Sequence, residues 1–107
     1  MSGYVYLIQD SDNNTYKIGV TKGSPMERLR KLQTGNPNKL NMIYHYLSSY
    51  PYRLESMLHS KFNMYHKLNE WYSLPYHEVE NFGSTCMCLE DIIIVMKDNA
   101  FFGKNLK

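Results

Sequence analysis

Cysteine, tryptophan and proline are scarce in this chain: two, one and four residues among 107. The two thiols, Cys86 and Cys88, rule out a disulfide scaffold. They also cannot make a four-ligand zinc site, and no histidine stands near enough to complete one, so both are expected as small, half-buried thiols of a reducing compartment. Long apolar runs are missing as well. The longest, Ile92-Ile93-Ile94-Val95-Met96, is far too short to span a bilayer. With no signal-type apolar segment at its start, no repeat and no low-complexity tract, the chain is expected to be intracellular, with no membrane partner. Its length predicts one domain with a real core, too short for a catalytic domain plus a separate binding domain.

Tyrosine is abundant, with ten residues, and charge is unevenly spread. The net charge of +2 hides nine Lys/Arg against four Asp/Glu in residues 1–67, a balance of +5, and three against six in residues 68–107, a balance of −3. The basic part suggests an anionic partner such as nucleic acid, with Lys22, Arg30, Lys31, Lys39 and Arg53 as phosphate contacts; a solvated mixed surface is the alternative.

Two apolar runs, residues 3–9 and 15–21, flank the cluster Asp10-Ser11-Asp12-Asn13-Asn14. Asn tolerates the positive φ of a tight turn, so this reads as a β-hairpin turning at Asn13 and Asn14. That register pairs Asp10 with Lys17, Ile8 with Gly19 and Tyr6 with Thr21 on one face. Leu7, Val20, Gln9, Ile18 and Tyr16 fall on the other. Lys17 therefore shares the face of Tyr6, and Tyr16 does not.

Ser24-Pro25-Met26-Glu27 is a helix start, with Ser24 as N-cap and Glu27 closing a capping box. Met26, Leu29 and Leu32 form its apolar stripe, and Gly35 is expected to end it in a left-handed conformation. Residues 40–46 alternate as a third strand, with Leu40, Met42, Tyr44 and Tyr46 in one row. A second helix is expected from Pro51 to about Lys67 on a stripe of Leu54, Leu58, Phe62 and Tyr65. Glu55 and His59 lie one turn apart along its edge. Residues 71–75 read as a short extended segment with Trp71 as an anchor, residues 76–82 as one or two helical turns, and residues 89–97 as a helix or a strand, which the continuously apolar run 92–96 leaves undecided by periodicity, with Glu90 and Asp91 suiting a helix start. Residues 100–103 are expected to fold back on the core or serve an interface, and residues 104–107 to fray.

Tyr4-Val5-Tyr6, Lys17-Ile18-Gly19, Arg28, the run Leu32-Gln33-Thr34-Gly35-Asn36-Pro37, Glu55 with His59 and Phe62, and Glu70-Trp71-Tyr72 together resemble the GIY-YIG nuclease family, and more closely its phage-type stand-alone subgroup. The resemblance covers residues 3–75. It implies an α/β (α+β) domain with a small three-stranded antiparallel sheet flanked by helices, followed by a C-terminal helical extension. It also implies the roles. Glu55 would hold Mg²⁺ or Mn²⁺, whose remaining positions water and phosphate fill. Tyr6 would be the base or water-orienting group; a free phenol has a pKa of about 10 and needs cations near it to work at neutral pH. Arg28 would clamp the phosphate with its planar fork, Lys17 would support the phenol or touch phosphate, and His59 would orient water. Gly19, placed opposite Ile8, would be structural and allow close approach of substrate or of a side chain. Two departures stand out: Lys17 occupies the place of the motif's second tyrosine, as in the subgroup, and Asn69 stands where the subgroup usually has Gly.

The expectation is thus a divalent-metal-dependent endonuclease acting on DNA with low intrinsic sequence specificity, unless a homodimer or targeting partner supplies it. Compact stand-alone relatives belong to phages and large DNA viruses, which implies the cytoplasm or nucleus of a host cell. The rival readings are a nucleic-acid-binding module that has lost efficient catalysis, and a protein-interaction domain that docks through its acidic, apolar C-terminal third.

Overall fold

The computed structural model describes residues 2–98. Its strands are β1 (Gly3–Asp10), β2 (Thr15–Thr21), β3 (Leu40–Ser48), β4 (His66–Leu68) and β5 (Trp71–Tyr72), and its helices are α1 (Pro25–Thr34), α2 (Pro51–Lys61), α3 (Tyr76–Glu80) and α4 (Phe82–Asp98). The mixed α+β class agrees with the expectation, but the sheet has five strands rather than three, in the order β3-β1-β2-β5-β4. Every pairing is antiparallel.

The two extra strands come from residues read as the end of the second helix and an isolated extended segment. α2 stops at Lys61 instead of near Lys67, because its buried stripe of Leu54, Leu58 and Phe62 ends there and a polar stretch follows. A single 3₁₀ turn, Asn63–Tyr65, redirects the chain. β4 then doubles back onto β5 through Asn69, whose φ is +52°. Gly and Asn are the residues that adopt this left-handed conformation at least cost, which gives a physical reason for Asn to stand where glycine is usual.

In the hairpin, β1 and β2 pair Tyr6 with Gly19, Leu7 with Ile18, Ile8 with Lys17 and Asp10 with Thr15. The connection is thus a four-residue loop rather than a two-residue turn. The Asp10 carboxylate closes it by accepting bonds from the Asp12 and Asn13 amides at 3.1 and 3.3 Å and from the Asn13 side chain at 3.1 Å. Asn14 takes the positive φ, at +52°. The partners are displaced by two residues from the expected register. Because strand side chains alternate with a period of two, the faces are unchanged.

Each face carries a separate core. Val5, Leu7, Tyr16 and Ile18 pack with Leu54, Leu58 and Phe62 of α2 and with Phe82, Cys86 and Ile93 of α4. On the other face Tyr6, Ile8 and Leu40 pack with Leu29 and Leu32 of α1 and with Trp71. Met26, read as part of that stripe, is exposed. The row expected along β3 is broken: a bulge between Leu7 and Ile8 pairs Leu7 with Tyr44 but Ile8 with Met42, so Ile43 is unpaired and the row changes face. Leu40 and Met42 lie under α1, whereas Tyr44 stacks edge-on to Phe82 and Tyr46 reaches α4.

Ser24 caps α1 by accepting from the Glu27 amide at 3.3 Å. Glu27 does not complete the capping box, since its carboxylate pairs with Arg30. Gly35 is not left-handed, with φ −96°. The Gln33 side chain does the closing instead: it donates to the carbonyls of Asn36 and Asn38 at 3.2 and 2.7 Å and accepts from the Leu40 amide at 2.9 Å. α4 starts at Phe82, well before the expected Leu89. Glu90 lies inside it and accepts from the Ser48 hydroxyl and, at 3.5 Å, from Tyr46. The Cys86 thiol is buried and pushed up to about 12, first by burial and then by Glu90; Cys88 is exposed. No helix among the described residues is long and apolar enough to cross a membrane. Residues 100–103 and 104–107, expected to fold back and to fray, lie outside the described residues.

Candidate active site

β1 points Tyr6 toward α1, and the ring is only 1% exposed, more deeply set than an ordinary strand tyrosine. It lies across Gly19, where a Cβ would come within 2.5 Å of the phenol Cζ. Gly19 thus allows the close approach of a side chain, as expected, but it stands opposite Tyr6 rather than Ile8, and the side chain is the Tyr6 ring. Arg28 projects from α1 to the phenol end. Contact with Tyr6 is the main reason its guanidinium is held above the usual value; partial burial opposes this, and the charge of Glu70 adds to it.

Lys17, on the same face, places Nζ 2.6 Å from Glu70 Oε1. Glu70 immediately precedes β5, and its carbonyl accepts from the Ile18 amide at 3.2 Å, so it is hung on the edge of β2. Glu55 and His59 approach this edge from α2, with His59 Nε2 3.6 Å from Glu55 Oε2. On its other side His59 Nδ1 meets the Tyr72 hydroxyl. Burial, then Glu70 and Glu55, push the Tyr72 phenol up, so it keeps its proton. If Tyr72 donates to Nδ1, Nε2 carries hydrogen toward Glu55; if Nδ1–H donates to the Tyr72 oxygen, Nε2 offers a lone pair, as a metal ligand must.

One donor atom from each of Glu55, His59 and Glu70 lies within 4.8 Å of the others. Two carboxylates and an imidazole fit a small divalent cation, and the imidazole favours Mn²⁺ over Mg²⁺. Five residues singled out in the sequence, Tyr6, Lys17, Arg28, Glu55 and His59, are therefore linked through Glu70: Lys17 pairs with it, Glu55 and His59 stand beside it, and Arg28, in contact with Tyr6, feels its charge. Glu70 and Tyr72 join them. Both belong to the Glu70-Trp71-Tyr72 run, but nothing in local periodicity marks an acid before a two-residue strand; its link to Lys17 spans 53 positions.

The basic residues proposed to bind phosphate do not gather in one stripe. Lys22 lies 5.7 Å from the Tyr52 ring centre near the start of α2. Arg30 is paired with Glu27, and Lys31 is exposed on α1. Lys39 is exposed in the loop before β3, and Arg53 sits beside Tyr50 and Ile93 on the α4 side.

The family model described as the T5orf172 domain matches residues 3–87. That stretch takes in every residue of the cluster and runs into α4. Neither curated proteins nor solved structures provide a match.

Proposed function

The chain belongs to the T5orf172 domain family, and from that premise we propose that it is a divalent-metal-dependent endonuclease of the GIY-YIG kind, hydrolysing DNA phosphodiester bonds. The observation that carries this reading is the meeting of Glu55, His59 and Glu70 within 4.8 Å beside two cations, Lys17 and Arg28. Phosphodiester hydrolysis needs those parts: a place for a cation, positive charge on the phosphoryl oxygens, and a group to take or orient the proton of attacking water.

Glu55 and Glu70, with His59, would hold the metal, which supplies Lewis acidity at a phosphoryl oxygen and a more acidic water. Arg28 is exposed and planar, suited to take two phosphate oxygens at once. Tyr6 is buried, with its phenol in contact with Arg28, and in this reading it would orient the attacking water or take its proton from beside that guanidinium. Lys17 fixes Glu70 and adds charge where the leaving oxygen develops it. Specificity rests on a small surface with dispersed basic residues, so intrinsic sequence preference is low unless a second copy or a targeting partner adds contacts.

The test is nicking of supercoiled plasmid with Mg²⁺ or Mn²⁺ by the wild-type protein and by Glu55→Gln. The variant should stay folded and bind DNA but lose cleavage. Unchanged metal-dependent nicking would remove Glu55 from the site. DNA binding with no nicking by the wild type would indicate a binding module, and absence of both a protein-interaction domain.

A further inference from the structure

An open cavity of about 530 Å³ lies between the β1–β2 loop, the segment joining α1 to β3, and the β4–β5 hairpin. It is within the size range of ligand pockets and takes no part in the cluster described above. One wall is Trp71, the only tryptophan of the chain. Trp71 is half-buried, packing on the Ile8 and Leu40 side while bordering the cavity. Its partner across the strands is Lys17, whose Nζ lies 5.8 Å from the ring centre and holds Glu70. The cavity thus begins one side chain away from the candidate metal ligands.

The facing wall is polar and already ordered. Asp10 accepts Nδ2 of Asn13 at 3.1 Å and Nδ2 of Asn38 at 3.0 Å, tying the two loops together. Asn36 Oδ1 accepts the Asn38 amide at 2.9 Å. The amide atoms not used in these bonds, Oδ1 of Asn13 and Asn38 and Nδ2 of Asn36, are acceptors and a donor of the kind that read base edges. Lys67 adds a cation to the lining. A flat aromatic wall, a prepaid set of amides and a cation form the combination that holds an unstacked base.

We propose that this cavity takes an unpaired nucleobase of a DNA strand whose backbone passes the Lys17–Glu70 pair, with the base against Trp71, its edge on the asparagine amides and Lys67 on a neighbouring phosphate. The proposal rests on the nuclease reading and deepens it. A base stacked in a duplex has both faces covered, so it must be flipped or already unpaired to use the indole. Substrates with a bulge, flap or single-stranded junction are therefore bound better than continuous duplex.

The test uses the full chain with EDTA present to prevent cleavage. Two otherwise identical duplexes are compared, one carrying a single bulged nucleotide and the other an abasic residue at the same place. Anisotropy gives affinity, and emission of the lone tryptophan reports the cavity directly. The base-bearing duplex should bind roughly tenfold more tightly or better and change the Trp71 emission, while the abasic one should not. Trp71→Phe, which keeps a stacking face and packing, should retain much of the preference; Asn38→Ala should weaken it. Equal affinity for the two duplexes with unaltered emission, while plasmid nicking persists, would overturn the base subsite and leave the nuclease reading standing. Failure to bind either duplex, together with absence of nicking, would overturn both.

Discussion

Gly19→Ala is the smallest change that tests how the site is held. Two effects oppose each other. Glycine inside a strand is less favourable than alanine by about 0.5–1 kcal/mol, and Gly19 has no positive φ to forbid a side chain, so backbone preference alone predicts stabilisation. Against this, the new Cβ would stand 2.5 Å from Tyr6 Cζ and 2.9 Å from Cε1, contacts that real Cβ atoms do not make. The ring is 1% exposed and backed by Ile8 and Leu40, so it cannot swing aside freely. Overpacking of this kind costs about 1–3 kcal/mol, which outweighs the backbone gain. The expected net loss is about 1–2 kcal/mol, and for a chain of this size each kcal/mol lowers Tm by about 4–8 °C. Displacing the phenol also moves it from Arg28, so nicking should fall more than stability does. Urea unfolding and plasmid nicking are to be measured on Gly19→Ala, Tyr6→Ala and the double variant. In the Tyr6→Ala background the alanine should cost little, because the clash has gone. If Gly19→Ala proves as stable and as active as the wild type, the packing of Tyr6 on Gly19 is wrong.

Tyr16→Phe should cost less than about 1 kcal/mol, since its hydroxyl accepts only a long bond from Gln9 at 3.4 Å, and nicking should persist. Lys17→Met should instead lower nicking at least tenfold with little change in the urea midpoint, because the Lys17–Glu70 pair is partly exposed and contributes little stability; the reverse ranking of these two variants would contradict the face assignment. Asp10 is held below the usual carboxylate range, first by the Asn38 side chain and further by Asn13 and Asp12, with burial opposing. A depressed folded pKa means that its stabilisation is complete above the unfolded value of about 3.9 and is lost as pH falls through the folded value. Asp10→Asn should therefore be less stable than the wild type at pH 7 by about 1 kcal/mol, and the gap should narrow as pH falls below the unfolded value and close once the folded carboxylate is protonated. An equal gap in neutral and acid urea titrations would exclude this origin.

The parts legible in the sequence were those governed by alternation and local chemistry. Tyr6, Lys17 and Gly19 fall on one face whichever even register the hairpin adopts, so the loop length could be misjudged without losing the face. That length depends on where the Asp10 carboxylate finds its donors, a choice that five consecutive polar residues leave open. Ser24 capped α1 as its type predicts, while Gly35 did not turn left-handed because Gln33 had already bound the following carbonyls. Glu70 was hidden for a different reason: its neighbours in space, Lys17 and Glu55, are distant in sequence, and a two-residue strand has no periodicity to read. The outer hairpin was mistaken for helix because residues 61–68 mix polar and apolar types in a pattern that does not distinguish a frayed helix from a short strand.

The bulge opposite Leu7 and Ile8 gives β3 one residue more than its pairing with β1 uses. Ile43 is the residue that lets one strand serve two masters, Leu40 and Met42 beneath α1 and Tyr44 and Tyr46 against α4. Removing it would leave Met42 next to Tyr44 in a regular strand, and simple alternation would keep Leu40 and Met42 beneath α1 with Tyr44 and Tyr46 against α4. The four residues of the β1–β2 connection allow change as well, since inserting or removing two there leaves every side chain on its own side. Insertions and deletions should therefore be survived according to their place: loss of Ile43 from β3, and changes by twos at the hairpin end, should leave both faces intact.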